Sequence, residues 1–190
     1  MVLPVAYCPP LEYFALLAKY SCVQMEAWEH YQKQTYRNRC RILTAGGVMD
    51  LRFPVVHDGA IRITDIRVDY STPWVRQTEY AIETAYYSSP FFLYYRDAMF
   101  AILDARPATL WDLDLALIRF FCDKIGIDPR LEPTGEYLGA DVDIHPKHPS
   151  AYVPRPYSQV FADRFGFVGN LSVMDLLFNE GPDAISYLIW

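Results

Sequence analysis

CRILTAGGVMDLRFPVV, residues 40–56, decides the fold class. Two runs of alternating apolar residues meet at Gly46-Gly47, the grammar of a β-hairpin. Outward toward the N-terminus, VLPVAY predicts a short buried strand, which Pro9-Pro10 ends. Leu11 to Tyr20 then predicts a helix, with Leu11, Phe14 and Ala18 at helical spacing, and SCVQMEA a second strand. Outward in the other direction, ITDIRVDYS sets Ile66, Val68 and Tyr70 against Asp65, Arg67 and Asp69, a strand with one wet face. At residue 72 the period changes. Thr72-Pro73 and Ser89-Pro90 each pair a capping residue with a proline suited to a first helical position. Thr109 and Asp112 form a capping box ahead of Leu110, Leu113, Leu117, Phe120, Phe121 and Ile125, and Gly126 supplies the stop.

These patterns predict an α+β fold in a single domain spanning 1–190. A small, mostly antiparallel sheet in the strand-rich part (1–71) packs against a helical part (72–126). A Pro-rich loop (127–158) follows, carrying Pro129, Pro133, Pro146, Pro149, Pro154 and Pro156, a density that rules out regular helix or central strand. C-terminal helices (159–190) close the chain, divided at Gly181-Pro182.

Composition narrows the function classes. A hydrophobic fraction of 52% in 190 residues is that of a packed globule, and a net charge of −6 argues against general nucleic-acid affinity. No apolar run approaches the roughly 18 residues of a membrane span. Cys8, Cys22, Cys40 and Cys122 form no CxxC pair, and no signal-type segment begins the chain, so reduced thiols in a cytoplasmic protein are expected. No P-loop, dinucleotide fingerprint, GxSxG or HExxH is present, and neither a cofactor nor a metal is expected.

Against that acidic background, HYQKQTYRNRCRI (30–42) holds four cations and no acid. In an extended chain Arg37, Arg39 and Arg41 project to one face, with Cα atoms two apart separated by roughly 6.6 Å. Guanidinium groups at that spacing can converge on one anion with paired hydrogen bonds. Lys33 and Tyr31 enter the strand from the loop before it, and Gln32 and Asn38 add neutral partners for hydroxyl groups. The competing reading is a solvated strand face whose arginines pair with acids such as Asp50, Asp65 or Asp69, each pair contributing only about 0–1 kcal/mol.

Further candidates lie toward the C-terminus. HPKHP places His145 and His148 three apart, either able to act as a general base near neutral pH. Ser172 and Asp175 have capping-box spacing, and the helix end they mark, with Asn170 just before it, can receive an anion on its free N–H groups. Glu180 is a third acid/base candidate. Cys8 could serve as a nucleophile only by residue type; an inert buried thiol is the commoner outcome.

YCPPLEYFALL, HYQKQTYRNRCRIL, YSTPWVRQTEYAIETAYYSSPFF and YSQVFADRFGFVGNLSVMDLLFNEGP together resemble the WbqC-like protein family, in the family's order and over nearly the whole chain. The first two are the most specific: a Pro before the Tyr13-Phe14 pair, and Tyr31, Lys33, Asn38 and Arg39 in the family's tyrosine-lysine-asparagine-arginine arrangement. The last resembles the variant found in Bacteroidetes-type bacteria. Many members carry a Gln where this chain has Ala6-Tyr7-Cys8-Pro9, so no role of that glutamine carries over. The resemblance implies bacterial surface-polysaccharide (O-antigen-type) biosynthesis. It points to a transferase moving an acyl or aminoacyl group to an amino sugar or nucleotide sugar. Lys33, Arg37 and Arg39 would hold the anion, Tyr13, Tyr31 and Asn38 would orient it, and His145 or His148 would move a proton. Two other readings stay open: a non-enzymatic binding or assembly protein whose Tyr-rich face docks a biosynthetic partner, and single-stranded nucleic-acid binding. A homodimer is compatible with any of the readings.

Overall fold

The computed structural model describes residues 1–148 and 150–189; Pro149, one of the loop prolines, and Trp190 lie outside them. Strand β1 (Val2–Leu3), helix α1 (Leu11–Lys19) and strand β2 (Cys22–Met25) open the chain. β1 and β2 run parallel, paired Val2 to Gln24 and Leu3 to Met25, with α1 as the crossover that parallel strands require. β5 (Arg130–Pro133) adds to the other side of β2, also parallel, giving the order β1-β2-β5. The fold is α+β, but this three-stranded sheet is parallel where a mostly antiparallel one was expected. The strand–helix–strand order of the first 25 residues is already crossover grammar. β5 also corrects the view of 127–158 as loop throughout: its proline ends an edge strand, where a missing N–H is tolerated.

The hairpin is β3 (Arg39–Thr44) and β4 (Gly47–Arg52), antiparallel, with the positive φ of its turn on Gly47, at 105°. Cys40, Ile42 and Leu51 face the core. Residues 66–70 do not form the expected strand. A 3-10 turn at Ile63–Asp65 leads into isolated bridges, Val55 with Val68 and Arg67 with Thr109. Ile66 and Val68 are nonetheless buried, as the alternation demanded.

Helices α2 (Trp74–Tyr86), α3 (Phe92–Asp104) and α4 (Leu110–Ile125) follow. Pro73 and Phe91 stand at the first two N-cap positions without side-chain caps, so neither Thr72 nor Ser89 has the expected role. Thr109 does cap α4, accepting from Asp112 N–H, and Gly126 ends it in the left-handed region. All six apolar residues of the α4 series are buried, against α3, α6 (Val173–Glu180) and the 3-10 turn Gly181–Tyr187; α5 is the short Ala162–Phe165. No helix among the described residues is long and apolar enough to cross a membrane, and the four cysteines are free.

Candidate functional site

The polar face of the hairpin organises the candidate site. Register sets Arg39 opposite Arg52 and Arg41 opposite Asp50, so all four side chains share a face. Asp50 serves three cations: Arg39 Nη1 at 3.2 Å and Arg52 Nη2 at 3.0 Å on Oδ2, with Arg41 Nε 3.5 Å from Oδ1. One carboxylate cannot neutralise three guanidinium groups, so the face keeps surplus positive charge. Arg39 is only 9% exposed, and its Nε has no hydrogen-bond partner among the described residues.

A basic cleft of about 410 Å³ lies at the Arg39/Arg52 end, lined by Tyr31, Lys33, Asn38, Arg39, Arg52 and His57. Asn38 is steadied by donating to the Phe53 carbonyl at 2.8 Å. Burial pushes the Tyr31 phenol above its ordinary value against the pull of Arg39, so it is a neutral hydroxyl. Asp69, also on the wall, is held below the usual carboxylate range by hydrogen bonding from Ser71.

A second cleft, of about 320 Å³, lies at the Arg41 end, lined by Tyr36, Arg41, Asp143, His145, His148 and Asn170, with Glu12 on the same wall. His148 Nδ1 meets Asp143 Oδ2. A carboxylate only accepts, so Nδ1 carries a proton, and in the neutral ring this leaves the lone pair on Nε2, the orientation a general base needs. His145 is the reverse: its Nδ1 accepts from Lys147 N–H at 3.1 Å, which puts the ring proton on Nε2. Burial lowers its pKa, helped by the charges of His148, Lys147 and Arg37 against Asp143. The two rings stack at 4.3 Å. Pro146 and Lys147 cross between the clefts, tied by Arg41 Nη2 donating to Pro146 O at 2.6 Å and by Lys147 Nζ donating to Gln34 Oε1.

The other expected residues fall elsewhere. Tyr13 is fully buried, its hydroxyl donating to Pro4 O at 2.9 Å, so it touches no cleft. Arg37 precedes β3 and turns inward onto Glu29 rather than joining the face of Arg39 and Arg41. Gln32 lines a third cleft with Trp28 and Tyr137. Glu180 accepts from Ser158 N–H and Tyr187 O–H at 3.1 Å each, fastening neighbouring chain. The start of α6 is not a free anion seat: Ser172 N donates to Arg41 O, Val173 N to Pro9 O and Met174 N to Ser172 Oγ. Asp175 points inward, accepting from Tyr157 O–H and Gln159 Nε2. Asn170 does line the histidine cleft, with its Oδ1 accepting from Glu12 N–H. Cys8 is buried, and burial pushes its thiol up, so it is no ready nucleophile. Among the described residues no group of three or more His, Cys, Asp and Glu is placed to hold a metal ion. Arg52 was not anticipated, yet counting back from the hairpin turn pairs it with Arg39. Asp143 gave no comparable signal, because irregular loop geometry brings it to His148.

Residues 5–146 match the model of the WbqC-like protein family. The chain belongs to that family. Rv1507c, an uncharacterized protein of Mycobacterium tuberculosis, is 27% identical over 220 residues, covering 96% of this chain and 94% of its own. No solved structure matches. In this WbqC-like chain the whole lining of the basic cleft falls inside the matched region, as do Arg41, Asp143 and His145; His148 and Asn170 lie beyond it.

Proposed function

We propose that the hairpin face binds a phosphate-bearing sugar, in nucleotide-linked form, and that the protein works in bacterial surface-polysaccharide biosynthesis, the setting its WbqC-like membership suggests. One observation carries this reading. Tyr31, Lys33, Asn38 and Arg39 line a single cleft with Arg52, and the nearly buried Arg39 there has an unpartnered Nε. A phosphate in the cleft, met by Lys33 and the exposed Arg52 guanidinium, would offset the surplus charge that Asp50 leaves. Lys33 contributes a point charge, Arg39 and Arg52 directed N–H groups, and Tyr31 and Asn38 partners for hydroxyls. The neighbouring histidine cleft, beyond Asp50 and the Pro146-Lys147 crossing, offers Glu12 for an amine and His148 Nε2 for a proton. The reaction there is acyl or aminoacyl transfer. The amine nitrogen bonds to the carbonyl carbon of an activated ester or thioester, whose bond to its leaving group breaks. The amine proton passes through His148 to that leaving group.

Calorimetric titration with nucleotide sugars tests the binding claim. Arg39→Ala keeps Asp50 paired with Arg41 and Arg52, so the variant folds while losing charge-assisted hydrogen bonds of about 1.5–3 kcal/mol, an affinity loss of roughly 10- to 100-fold. Undiminished affinity, or no binding by the wild type, overturns the claim. The second reading, partner docking, would then gain from Tyr80, Tyr87, Leu93 and Tyr94, exposed on and between α2 and α3.

A further inference from the structure

The third cleft, about 390 Å³, has no part in the proposed anion site. We propose that it binds the ring of an uncharged pyranoside. Two aromatic side chains stand exposed on its wall, Trp28 at 41% and Tyr137 at 67%. The indole is locked in place: Nε1 donates to Thr134 O at 3.0 Å, and the Arg62 guanidinium lies 3.7 Å from the ring centroid. Beneath them Glu26, wholly buried, accepts from Trp28 N, Thr134 Oγ1, Leu138 N and Gly139 N at 2.8 to 2.9 Å. A single carboxylate thus fixes the backbone beside both aromatics, so the walls stand preformed.

The remaining lining selects the ligand class. Glu29 spends its charge on Arg37, which leaves an ammonium no free partner, and among the described residues no Lys or Arg lines the cleft. The neighbouring Arg62 guanidinium is engaged by the Trp28 ring and by Ala27 O, so the lining favours an uncharged ligand over a phosphate. His30 and Gln32 both line it with side chains that make no hydrogen bond among the described residues. A planar amide and an imidazole suit hydroxyl groups, and the aromatic faces suit the C–H face of a sugar ring. Even-numbered His30 and Gln32 serve this cleft while Tyr31 and Lys33 serve the basic one, so the two clefts flank one stretch of chain. The inference rests on the preceding reading only in taking sugars as the ligand class.

Saturation-transfer NMR with methyl glucoside, methyl galactoside and methyl N-acetylglucosaminide tests it. Ring-proton signals are expected with the wild type and with Arg39→Ala. Apparent affinity should fall roughly tenfold or more in Trp28→Ala. Gln32→Ala, which removes no side-chain bond of the fold, should weaken binding as well. No signal from any of the three glycosides overturns the proposal. Signals unchanged in both Trp28→Ala and Gln32→Ala, or abolished in Arg39→Ala, overturn it too. Failure of the anion reading looks different: nucleotide sugars without affinity while glycoside signals keep their dependence on Trp28 and Gln32.

Discussion

Arg37 and Glu29 are both buried and meet through two hydrogen bonds, Nε to Oε1 at 3.0 Å and Nη2 to Oε2 at 2.6 Å. Desolvating two charges costs about as much as their attraction returns, so the pair adds little net stability, whereas a lone survivor is strongly unfavourable. Glu29→Ala should therefore destabilise the protein by about 3–5 kcal/mol in urea titrations. Glu29→Leu combined with Arg37→Met should recover most of that loss, and a double variant as unstable as the single one would refute this view of the pair. The same pair explains where reading the basic segment went astray. The acid-free window starts at His30, one residue beyond the carboxylate that claims Arg37. Charge counted along the chain is not charge counted in space. Lys33, Asn38 and Arg39 were legible as one group through the family's arrangement of these residue types, although turns at 33–34 and 36–37 and a left-handed Gln34, not an extended chain, bring them to one cleft. Asp143 was not, since its approach to His148 depends on a proline-bounded loop with no repeating geometry.

Among the elements, α4 had the plainest signals, because each acts within a turn. Thr109 Oγ1 accepts from Asp112 N at 3.1 Å, and the Thr109 hydroxyl lies 2.7 Å from Asp112 Oδ2. Thr109→Ala removes both contacts and should cost about 1 kcal/mol, lowering the melting temperature by roughly 2–4 °C. A melting curve that overlays the wild type would show that the buried face of α4 alone sets its stability. Prolines proved weaker evidence: Thr72-Pro73 and Ser89-Pro90 mark where helices begin without either hydroxyl serving as a cap. The hairpin was legible because its turn fixes its register locally. The parallel sheet was not, because β2 joins β5 across a separation of more than a hundred residues, and no local pattern encodes such a partner. β5 also hides among prolines that ordinarily exclude a strand.

Stability of the whole molecule should carry the imprint of a buried acid. Asp114 on α4 is fully buried, with neither carboxylate oxygen hydrogen-bonded among the described residues. Burial pushes its pKa well above the usual carboxylate range, although Arg37 pulls the other way. The native state therefore retains a proton that the unfolded chain releases near pH 3.9. From that pH up to the folded value the native state binds more protons, so stability falls as pH rises, by at most about 1.4 kcal/mol per pH unit for one group. Asp175 is raised too, again mainly by burial, and adds to the same trend. His145 acts oppositely: its lowered pKa costs stability as pH drops below about 6.5, toward its folded value. Glu26, held below its ordinary value because its hydrogen bonds outweigh burial, gives up stability only below about pH 4.5. Urea unfolding between pH 3 and 8 separates these contributions, Glu26 acting below about pH 4.5 and the others mainly above it. Asp114→Asn removes the ionisable group at nearly constant shape, so it should flatten the alkaline decline and make the variant more stable than the wild type at pH 8. An identical pH profile for the two proteins would mean that Asp114 ionises in the folded state much as it does in the unfolded one, with the Arg37 guanidinium compensating its burial.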